Sequence, residues 1–303
     1  MVDITAKSNT LRIATAEALV EVSSSKTIEA IREHRVPKGD VFEMSRAAGL
    51  LGVKKTPELL PDCHPIPIEY TGFQFEIIDQ TIKISCTIKT IYKTGVEVEA
   101  MHGASIAALN MYDMLKPIDK GVSIGAIRLM SKKGGKSDYA TQVSNRSAAI
   151  IVASDSISAG KAKDQTGKII EQFLSELGMK VSEFGIIPDE PNDIRLQVEK
   201  YLERKVDLIV VTGGTGVSRR DQTPEALSPL IEKRLPGVEE AMRAYGQNRT
   251  PVAMFSRSVA GISQNSILLG IPGSKGGALD SLKAVFPSLV HLFDVLNGTR
   301  HGK

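Results

Sequence analysis

The sequence predicts two domains of different fold class: an α+β domain in the first half and an α/β domain with a mostly parallel sheet in the second. In the first half, apolar residues recur at every second position, which is typical of antiparallel strands with one covered face. In the second half, short continuous apolar runs alternate with amphipathic segments, which is typical of buried parallel strands joined by helices.

Length and composition narrow the functional classes. The chain has 303 residues, enough for two domains that each bury a core. Its net charge of +3 is too small to indicate nucleic-acid binding, which needs a clustered basic face. The sequence has no apolar run that could span a membrane and no apolar signal core, so we expect a cytoplasmic protein. Only two cysteines, Cys63 and Cys86, are present, which argues against a disulfide framework and fits a reducing compartment.

The first domain is predicted from two strands and two helices. Alternation predicts strands over residues 66–78 and 81–100, and helical spacing predicts helices over residues 39–55 and 103–116. Asp40 precedes the first of these helices and is a candidate N-cap. Antiparallel strands with helices on one face form an α+β sandwich.

The second domain is predicted from alternating strands and helices. Apolar runs predict strands over residues 148–155, 181–190, 207–216 and 266–277, the last two running into glycine loops. Amphipathic spacing predicts helices over residues 167–178, 193–204 and 278–296. Residues 136–148 are polar and aperiodic, so we place the domains at 1–138 and 148–303, with a linker over 139–147.

The stretch LLPDCHPIPIE places Cys63 and His64 in a frame stiffened by prolines. Three interpretations are open: a metal site, a thiol nucleophile and a wall of a substrate pocket. The five histidines are scattered and none stands at ligand spacing from another, which argues against a metal site. A Cys63 nucleophile would need a nearby base and a lowered pKa.

Glu97 and Glu99 stand two apart in TGVEVEA. On the predicted strand, both carboxylates face one side, while Val96 and Val98 face the core. Two carboxylates this close repel each other. They indicate either a solvated strand face or a site where cations or a hydrogen-bonding ligand compensate their charge.

Asp113 and Lys116 stand three apart at the end of a predicted helix and share a face. They form either an ordinary surface ion pair or an acid–base pair in which the carboxylate holds the ammonium group. Lys38 lies in PKGD, just before the first predicted helix. Lys132 lies in RLMSKKGGKSD, where GGKS resembles a P-loop, but Met130 stands at the position of its first glycine. We therefore expect a flexible basic arm there, which either binds phosphate or is a solvated loop.

Two glycine loops follow apolar strands in the second half, within VVTGGTGVSRRDQTPE and IPGSKGG. Backbone N–H groups of such loops bind anions, and open α/β sheets bind ligands at the carboxyl ends of their strands. A structural turn is the commoner cause of one glycine loop, but two are present. Asp189 and Asp221 follow two strands, and they either converge on Mg²⁺ or cap turns.

The first half resembles cyclic pyranopterin monophosphate synthases. The resemblance covers about residues 1–138 and rests on MVDITAK, PKGDVFEMSRAAGLLGVKKTPELLPDCHPIP, TGVEVEA, ALNMYDMLKPIDKG and GGKSD. It implies a ferredoxin-like α+β fold, a hexamer with sites at subunit contacts, and no tightly bound cofactor. The implied reaction converts a cyclised dihydro-GTP, a pterin-triphosphate precursor, to cyclic pyranopterin monophosphate and pyrophosphate.

The family's catalytic residues fall on Asp113 and Lys116. Its substrate-binding residues fall on Lys38, Cys63, His64, Glu97, Val98, Glu99 and Lys132. The resemblance thus favours a substrate wall for the DCHP turn. Three positions depart from the family: Asp62 replaces a usual Leu, Val98 replaces a longer side chain, and Ala126 replaces a usual Asp. None of these removes a catalytic group, but Asp62 adds a negative charge near a triphosphate site.

The second half resembles molybdopterin adenylyltransferases. The resemblance covers about residues 147–295 and rests on SDSISAG, DQTG, IPDE, TGGTGVSRRDQTPE, PGVEEAMR, FSRSVAG and IPGS. It implies transfer of AMP from Mg-ATP to the terminal phosphate of molybdopterin. The family's catalytic, Mg²⁺-holding aspartates fall on Asp189 and Asp221. Its phosphate and pterin loops fall on Gly213, Gly214, Thr215, Gly216 and Ser274, beside which Lys275 replaces a frequent Pro.

We therefore expect a bifunctional enzyme of molybdenum cofactor biosynthesis, a lyase fused to a transferase that uses ATP and magnesium. We expect a homo-oligomer, a hexamer or a trimer, that binds small pterins, other pathway enzymes being further partners, but neither nucleic acid nor membrane. One alternative is an active synthase fused to a non-catalytic pterin-binding or scaffolding domain. A second alternative is a scaffold in which neither half catalyses a reaction. The presence of both aspartates in the second half and of Asp113 and Lys116 in the first argues against these alternatives.

Overall fold

The chain forms two compact units, Met1–Asp138 and Tyr139–Lys303. The computed structural model describes residues 1–135, 143, 145–296 and 298. Most of the predicted linker over residues 139–147, and Lys136 of the predicted basic arm, lie outside the described residues. No helix in the described part of the chain has the length and apolar character needed to cross a membrane.

An antiparallel four-stranded sheet forms the first unit. Its strands run in the order β2-β3-β1-β4, and every neighbouring pair is antiparallel. Burial alternates along β3, so every second residue faces the core. The strands are β1 (Thr10–Glu21), β2 (Tyr70–Ile78), β3 (Thr81–Tyr92) and β4 (Ser123–Lys133).

Three helices pack with this sheet around one core, which confirms the predicted α+β class. The helices are α1 (Ser25–Arg32), α2 (Val41–Leu59) and α3 (Glu97–Leu115). Asp40 caps α2 as predicted, because its Oδ1 atom accepts hydrogen bonds from the backbone N–H groups of Phe42 and Glu43, both at 3.0 Å.

The predicted strand over residues 81–100 is wrong in its second half. β3 ends at Tyr92, and Glu97 begins α3. Residues two apart on a helix point about 200° away from each other, so Glu97 and Glu99 do not share a face. Val98 is 44% exposed rather than part of the core. The start of α3 depends on how its alanine-rich face packs. A short alternation of valine and glutamate contains no information about that packing.

The predicted flexible arm is also wrong for Lys132 and Lys133, which lie on β4. Most residues of β4 are exposed, so its sequence carries no apolar alternation from which to predict it. Gly134 follows with a φ of 106°. A Cβ atom at this glycine would overlap the carbonyl oxygen of Leu11, so only glycine lets the chain leave β4 this close to β1.

Three glycines bring α2 and α3 into close contact. A Cβ atom at Gly52 would lie 2.8 Å from Ile106, and one at Gly103 would lie 2.5 Å from Val53. A Cβ atom at Gly49 would lie 3.1 Å from the carbonyl oxygen of Gly103. The two helices therefore approach each other more closely than any larger residue at these positions would allow.

The second unit is built on a six-stranded sheet in the order β6-β5-β7-β10-β9-β8. The pairs among β6, β5, β7 and β10 are parallel, and the two remaining edge pairs are antiparallel, which confirms a mostly parallel sheet. The strands are β5 (Ser147–Ala153), β6 (Lys180–Ile187), β7 (Leu208–Thr212), β8 (Lys233–Arg234), β9 (Val259–Ser263) and β10 (Ser266–Ile271).

Helices cover both faces of this sheet. Along β5, Ala148 and Ile150 belong to one core, while Ala149 and Ile151 belong to the other. Such double burial explains why these strands are continuous apolar runs. The helices are α4 (Asp155–Ser158), α5 (Thr166–Glu176), α6 (Pro191–Glu203), α7 (Thr223–Leu227), α8 (Pro236–Gln247), α9 (Lys275–Val285) and α10 (Val290–Leu296).

The single helix predicted over residues 278–296 is in fact two helices. α9 ends at Val285 and α10 begins at Val290. Pro287 lies between them, and a proline inside a helix removes a backbone donor and clashes with the preceding turn. Apolar spacing continues across this break, which is why periodicity alone missed it.

We predict that Gly103→Ala destabilises the protein by about 1–3 kcal/mol, because the added methyl group would overpack the contact between α2 and α3. Helix propensity alone would give the opposite sign, since alanine exceeds glycine by about 1 kcal/mol. Gly237→Ala on α8 is the control, because a Cβ atom there meets open space. Urea denaturation of both full-length variants provides the measurement, and an equal effect of the two would contradict the packing argument.

Candidate functional sites

The carboxylate of Asp113 lies between two ammonium groups at the end of α3. The Nζ atom of Lys116 lies 2.8 Å from Oδ1, and that of Lys38 lies 2.5 Å from Oδ2. Hydrogen bonds from Lys116 and then Lys38 lower the pKa of Asp113 to about 2, and Asp113 in turn raises the pKa of Lys116. All three side chains are roughly half exposed. At neutral pH the cluster therefore carries a net positive charge toward solvent, which suits an anionic ligand.

A second cluster surrounds the start of α3. The Sγ atom of Cys63 lies 3.4 Å from Oε1 of Glu99, whose residue is only 2% exposed. Burial raises the pKa of Glu99. Burial and then the charge of Glu99 raise the pKa of Cys63 to about 11. The thiol thus stays protonated near neutral pH and acts as a hydrogen-bond donor, so the nucleophile interpretation does not fit.

Three more predicted residues lie around this end of the helix. Lys132 on β4 places its Nζ atom 3.2 Å from Oε1 of Glu97 in the first turn of α3. Val98, between the two glutamates, is exposed. His64 follows Cys63, and its Nε2 atom lies 2.9 Å from the carbonyl oxygen of Val2.

A cavity of about 330 Å³ opens beside Glu99. The Oε2 atom of Glu99 is buried and has no hydrogen-bond partner within the described residues. Lys54, Glu69 and Tyr70 supply the other charged and aromatic groups of the lining, and sequence reasoning missed all three. The sequence gives little sign of a binding role for them, since they lie in a segment predicted as an ordinary helix and in one predicted as an ordinary strand. The remaining lining residues are Leu50, Val53, Pro57, Ile66, Ile68 and Thr71.

The two clusters lie at opposite ends of α3. Sixteen residues separate Glu97 from Asp113, and a rise of 1.5 Å per residue places them about 24 Å apart along the helix. The polypeptide of one protomer therefore does not bring Asp113 and Lys116 together with Cys63 and the glutamates. The predicted residues form two separate clusters rather than one pocket.

In the second unit, a cavity of about 610 Å³ lies beside the glycine loops that follow β7 and β10. Gly214, Thr215, Gly216 and Ser274 line it, as the sequence predicts. Gly213 is not part of the lining. A Cβ atom there would overlap the carbonyl oxygen of Ala153 at the end of β5, and its φ of 111° also requires glycine.

Asp189 and Asp221 lie against the first glycine loop. A Cβ atom at Gly214 would lie 2.6 Å from Oδ1 of Asp189, and one at Gly216 would lie 2.8 Å from Oδ2 of Asp221. The Oδ1 atom of Asp189 is buried without a hydrogen-bond partner in the described part of the chain. Burial, then the charges of Asp155 and Asp221, raise the pKa of Asp189 to about 6. A hydrogen bond from Ser218 instead lowers the pKa of Asp221.

Two arginines that sequence reasoning missed hold this loop in place. Arg220 donates to Asp155 and Glu190, both at 2.7 Å. Arg257 donates through Nε to the carbonyl oxygen of Gly216 at 2.7 Å. It also donates to the main chain of Asp221. Arg220 lies in the motif SRRDQTPE and Arg257 in FSRSVAG. Their place in these motifs was the only sign in the sequence that they belong to the site.

The pair of aspartates fits a magnesium ion that is bound together with a phosphate ligand. Across the described ranges, no group of three or more His, Cys, Asp or Glu side chains is arranged to hold a metal ion. Two carboxylates alone do not complete the coordination of Mg²⁺, which commonly takes its remaining ligands from phosphates and water. A bound cation would coordinate the unpartnered oxygen of Asp189 and would offset the repulsion from the neighbouring carboxylates.

Comparison with known families gives two matches along the chain. The MoaC family matches residues 1–135, and a probable molybdopterin binding domain matches residues 149–291.

Relatives with the same arrangement match over nearly the full length. A molybdenum cofactor biosynthesis bifunctional protein from Chlorobaculum tepidum is 40% identical over 301 residues, covering 99% of this chain and 96% of the relative. One from Synechococcus elongatus is 34% identical over 316 residues, covering 100% and 99%. A cyclic pyranopterin monophosphate synthase from Clostridium perfringens is 48% identical over 139 residues, covering 45% of this chain and 87% of the relative.

We predict that Asp189→Asn raises the melting temperature at pH 8 in the presence of EDTA. The pKa of Asp189 is about 6 in the fold, above its ordinary value of 3.8, so its contribution to stability is present below pH 4 and is lost as the pH rises through 6. The gain from Asn should therefore vanish near pH 4.

Asp155→Asn is the control for this measurement. The pKa of Asp155 is lowered by its hydrogen bond from Arg220, so removal of this charge should destabilise the protein at pH 8. Differential scanning calorimetry across the pH range separates the two signs. A lower melting temperature for Asp189→Asn at pH 8 would contradict the electrostatic account.

Proposed function

The chain belongs to the family of bifunctional molybdenum cofactor biosynthesis proteins, and from this premise we propose an activity for each unit. The first unit converts a cyclised dihydro-GTP to cyclic pyranopterin monophosphate with release of pyrophosphate. The second unit transfers AMP from Mg-ATP to molybdopterin. The arrangement of Asp113 between Lys38 and Lys116 is the observation that carries the first activity.

The protonation states at this cluster define what each residue does. Lys116 is protonated at neutral pH, since the ordinary pKa of lysine lies far above it and Asp113 raises the pKa of Lys116 further. It donates a proton or a hydrogen bond to a substrate oxygen. Asp113 remains an anion and fixes the direction of both ammonium groups. Lys38 and Lys132 offset the negative charge of the triphosphate and of the departing pyrophosphate.

A second copy of the chain completes the synthase site in this proposal. Exposed apolar side chains on α2 and α3 support a subunit contact: Met44 is 51% exposed, Leu51 62% and Leu109 55%. A two-fold axis that places a second α3 antiparallel to the first would bring the Asp113 end of one copy to the Glu99 end of the other. Each dimer would then hold two identical sites.

The order of elements in the first unit supports a ferredoxin-like fold. Strands and helices follow one another as β1, α1 with α2, β2, β3, α3 and β4. This is a β-α-β-β-α-β arrangement in which the first crossover carries two helices.

In the second unit, Asp189 and Asp221 would hold the magnesium ion, which neutralises charge on the transferring phosphate when bound. The N–H groups of the loop at Gly214 and Gly216 would bind phosphate oxygens. A module that only binds pterin is the rival function. The buried, unpartnered carboxylate of Asp189 favours catalysis, because it destabilises the fold and a pure binding module has no use for it.

Mixing two inactive variants tests the composite synthase site. Lys116→Ala and Glu99→Gln should each abolish the formation of cyclic pyranopterin monophosphate, since they damage opposite half-sites. Random mixing of the two chains makes half of the dimers hybrids, and each hybrid holds one intact site. We therefore expect recovery of about a quarter of wild-type turnover after co-expression.

The matched control mixes Lys116→Ala with Asp113→Asn, which damage the same half-site and should recover nothing. Light scattering of the wild-type protein should show an oligomer, with a hexamer as the expected number. A monomer of the wild-type chain that is fully active would refute the shared site. Near-normal turnover of Lys116→Ala would refute its catalytic role.

Asp221→Ala should remove adenylyl transfer and leave the synthase reaction intact. The loss should persist at high ATP concentration, because the missing group is a metal ligand rather than a nucleotide contact. Glu199→Ala, which removes an exposed carboxylate from α6, serves as the control. Pyrophosphate and adenylylated pterin are measured with Mg-ATP and molybdopterin. Unchanged transfer would leave the second unit as a binding module, and an equal loss of both activities would show that the units are not independent.

A further inference from the structure

We propose that an N-terminal strap, residues 2–7, positions His64 and fixes the nitrogen of its ring that carries the proton. The strap lies within the MVDITAK stretch, to which neither proposed activity assigns a role. The position of the proton is a property of the folded protein and does not depend on the proposed synthase activity. Only the kinetic consequence of the proposal rests on that activity.

The strap has its own local structure and one buried side chain. Ile4 is only 9% exposed. The carboxylate of Asp3 accepts hydrogen bonds from both the backbone N–H and the hydroxyl of Thr5, each at 2.8 Å. The backbone N–H of Lys7 closes a turn by donating to the carbonyl oxygen of Ile4 at 3.0 Å. These contacts hold the peptide group of Val2 next to the DCHP turn.

In the hydrogen bond between the strap and His64, only the histidine can be the donor. The Nε2 atom of His64 lies 2.9 Å from the carbonyl oxygen of Val2. A carbonyl oxygen accepts hydrogen bonds and cannot donate, so Nε2 carries the proton. In the neutral ring, Nδ1 then holds the free lone pair. The strap thus leaves Nδ1 as the atom with which His64 accepts a proton or a hydrogen bond.

The neighbouring residues restrict the turn that carries His64. Pro65 limits the backbone conformation of His64 to the extended region. The side chain of Cys63 is held on Glu99 of α3. The turn is therefore fixed to α3 through one side chain and to the strap through the next.

The strap also forms one wall of a cavity. A space of about 410 Å³ lies between Val2, Ile4 and Lys7 of the strap and His64. The remaining lining residues are Met1, Asp62 and Thr94. His64 lines this space, and its contact with the strap sets the orientation of its ring. The strap residues are thus positioning residues for His64.

Histidine nitrogen NMR on the ¹⁵N-labelled full-length protein tests the strap directly. His64→Asn assigns the His64 signals by their disappearance. In the wild-type protein we expect a single neutral tautomer with the proton on Nε2. In Asp3→Ala and Ile4→Ala we expect a mixture of the two tautomers. Because Asp3 is exposed, we expect Asp3→Ala to fold, and it provides the test if Ile4→Ala does not fold.

The kinetic consequence is measured with the same variants. Loss of the strap contact should lower kcat of the synthase reaction by about ten- to a hundredfold with little change in KM, as for other small misplacements of an acting group. Ile31→Ala is the matched control, because it removes the same atoms from a buried isoleucine of α1. It should leave both the tautomer and kcat unchanged.

A wild-type His64 with its proton on Nδ1, or in exchange between the two nitrogens, would overturn the proposal. The same holds if the strap variants differ from Ile31→Ala in neither NMR nor kcat. A wild-type protein without synthase turnover would count against the proposed function instead, and the NMR result would still decide whether the strap fixes the tautomer.

Discussion

The close packing of α2 on α3 is the constraint on which the first unit depends. Glycines at the contact let the two backbones approach, and larger residues there would overlap their neighbours. The helices run antiparallel, so the start of α2 meets the end of α3, where Lys38 reaches Asp113. The end of α2 meets the start of α3, where Cys63 reaches Glu99. One packing contact therefore builds both clusters and also keeps them a helix length apart.

The two units use electrostatics in opposite ways. In the first unit, Asp113 is satisfied by two ammonium groups, and the cluster presents excess positive charge. In the second unit, Asp189 is crowded by other carboxylates, and one of its oxygens has no hydrogen-bond partner among the described residues. The first arrangement presents positive charge that suits an anion, and the second leaves a negative charge that a cation would compensate. The raised pKa of Asp189 means that its ionised carboxylate destabilises the fold, as expected if the proposed magnesium site needs an uncompensated carboxylate.

Much of the fold could be predicted because the second unit buries its sheet on both faces. Double burial makes β5, β7 and β10 continuous apolar runs. The glycine loops that follow β7 and β10 mark the edge at which open α/β sheets bind ligands. β4 was missed because it is mostly exposed and shows no alternation. The start of α3 was missed because its first four residues, 97–100, continue an alternation of valine and glutamate that resembles a strand. Local patterns fail where the environment of a segment, rather than its own composition, decides its conformation.

The sequence by itself determined the two fold classes, the cap of α2 at Asp40 and the residue types of both sites, because periodicity and motifs are local properties of the chain. Only the tertiary structure decided that Glu97 and Glu99 diverge, that Cys63 stays protonated on Glu99, and that Lys38 reaches Asp113 across 75 positions. It also showed that Asp189 and Asp221 lie against the same glycine loop and repel each other. The physical reason is that burial and charge proximity set these properties, and both arise from contacts between residues far apart in the chain.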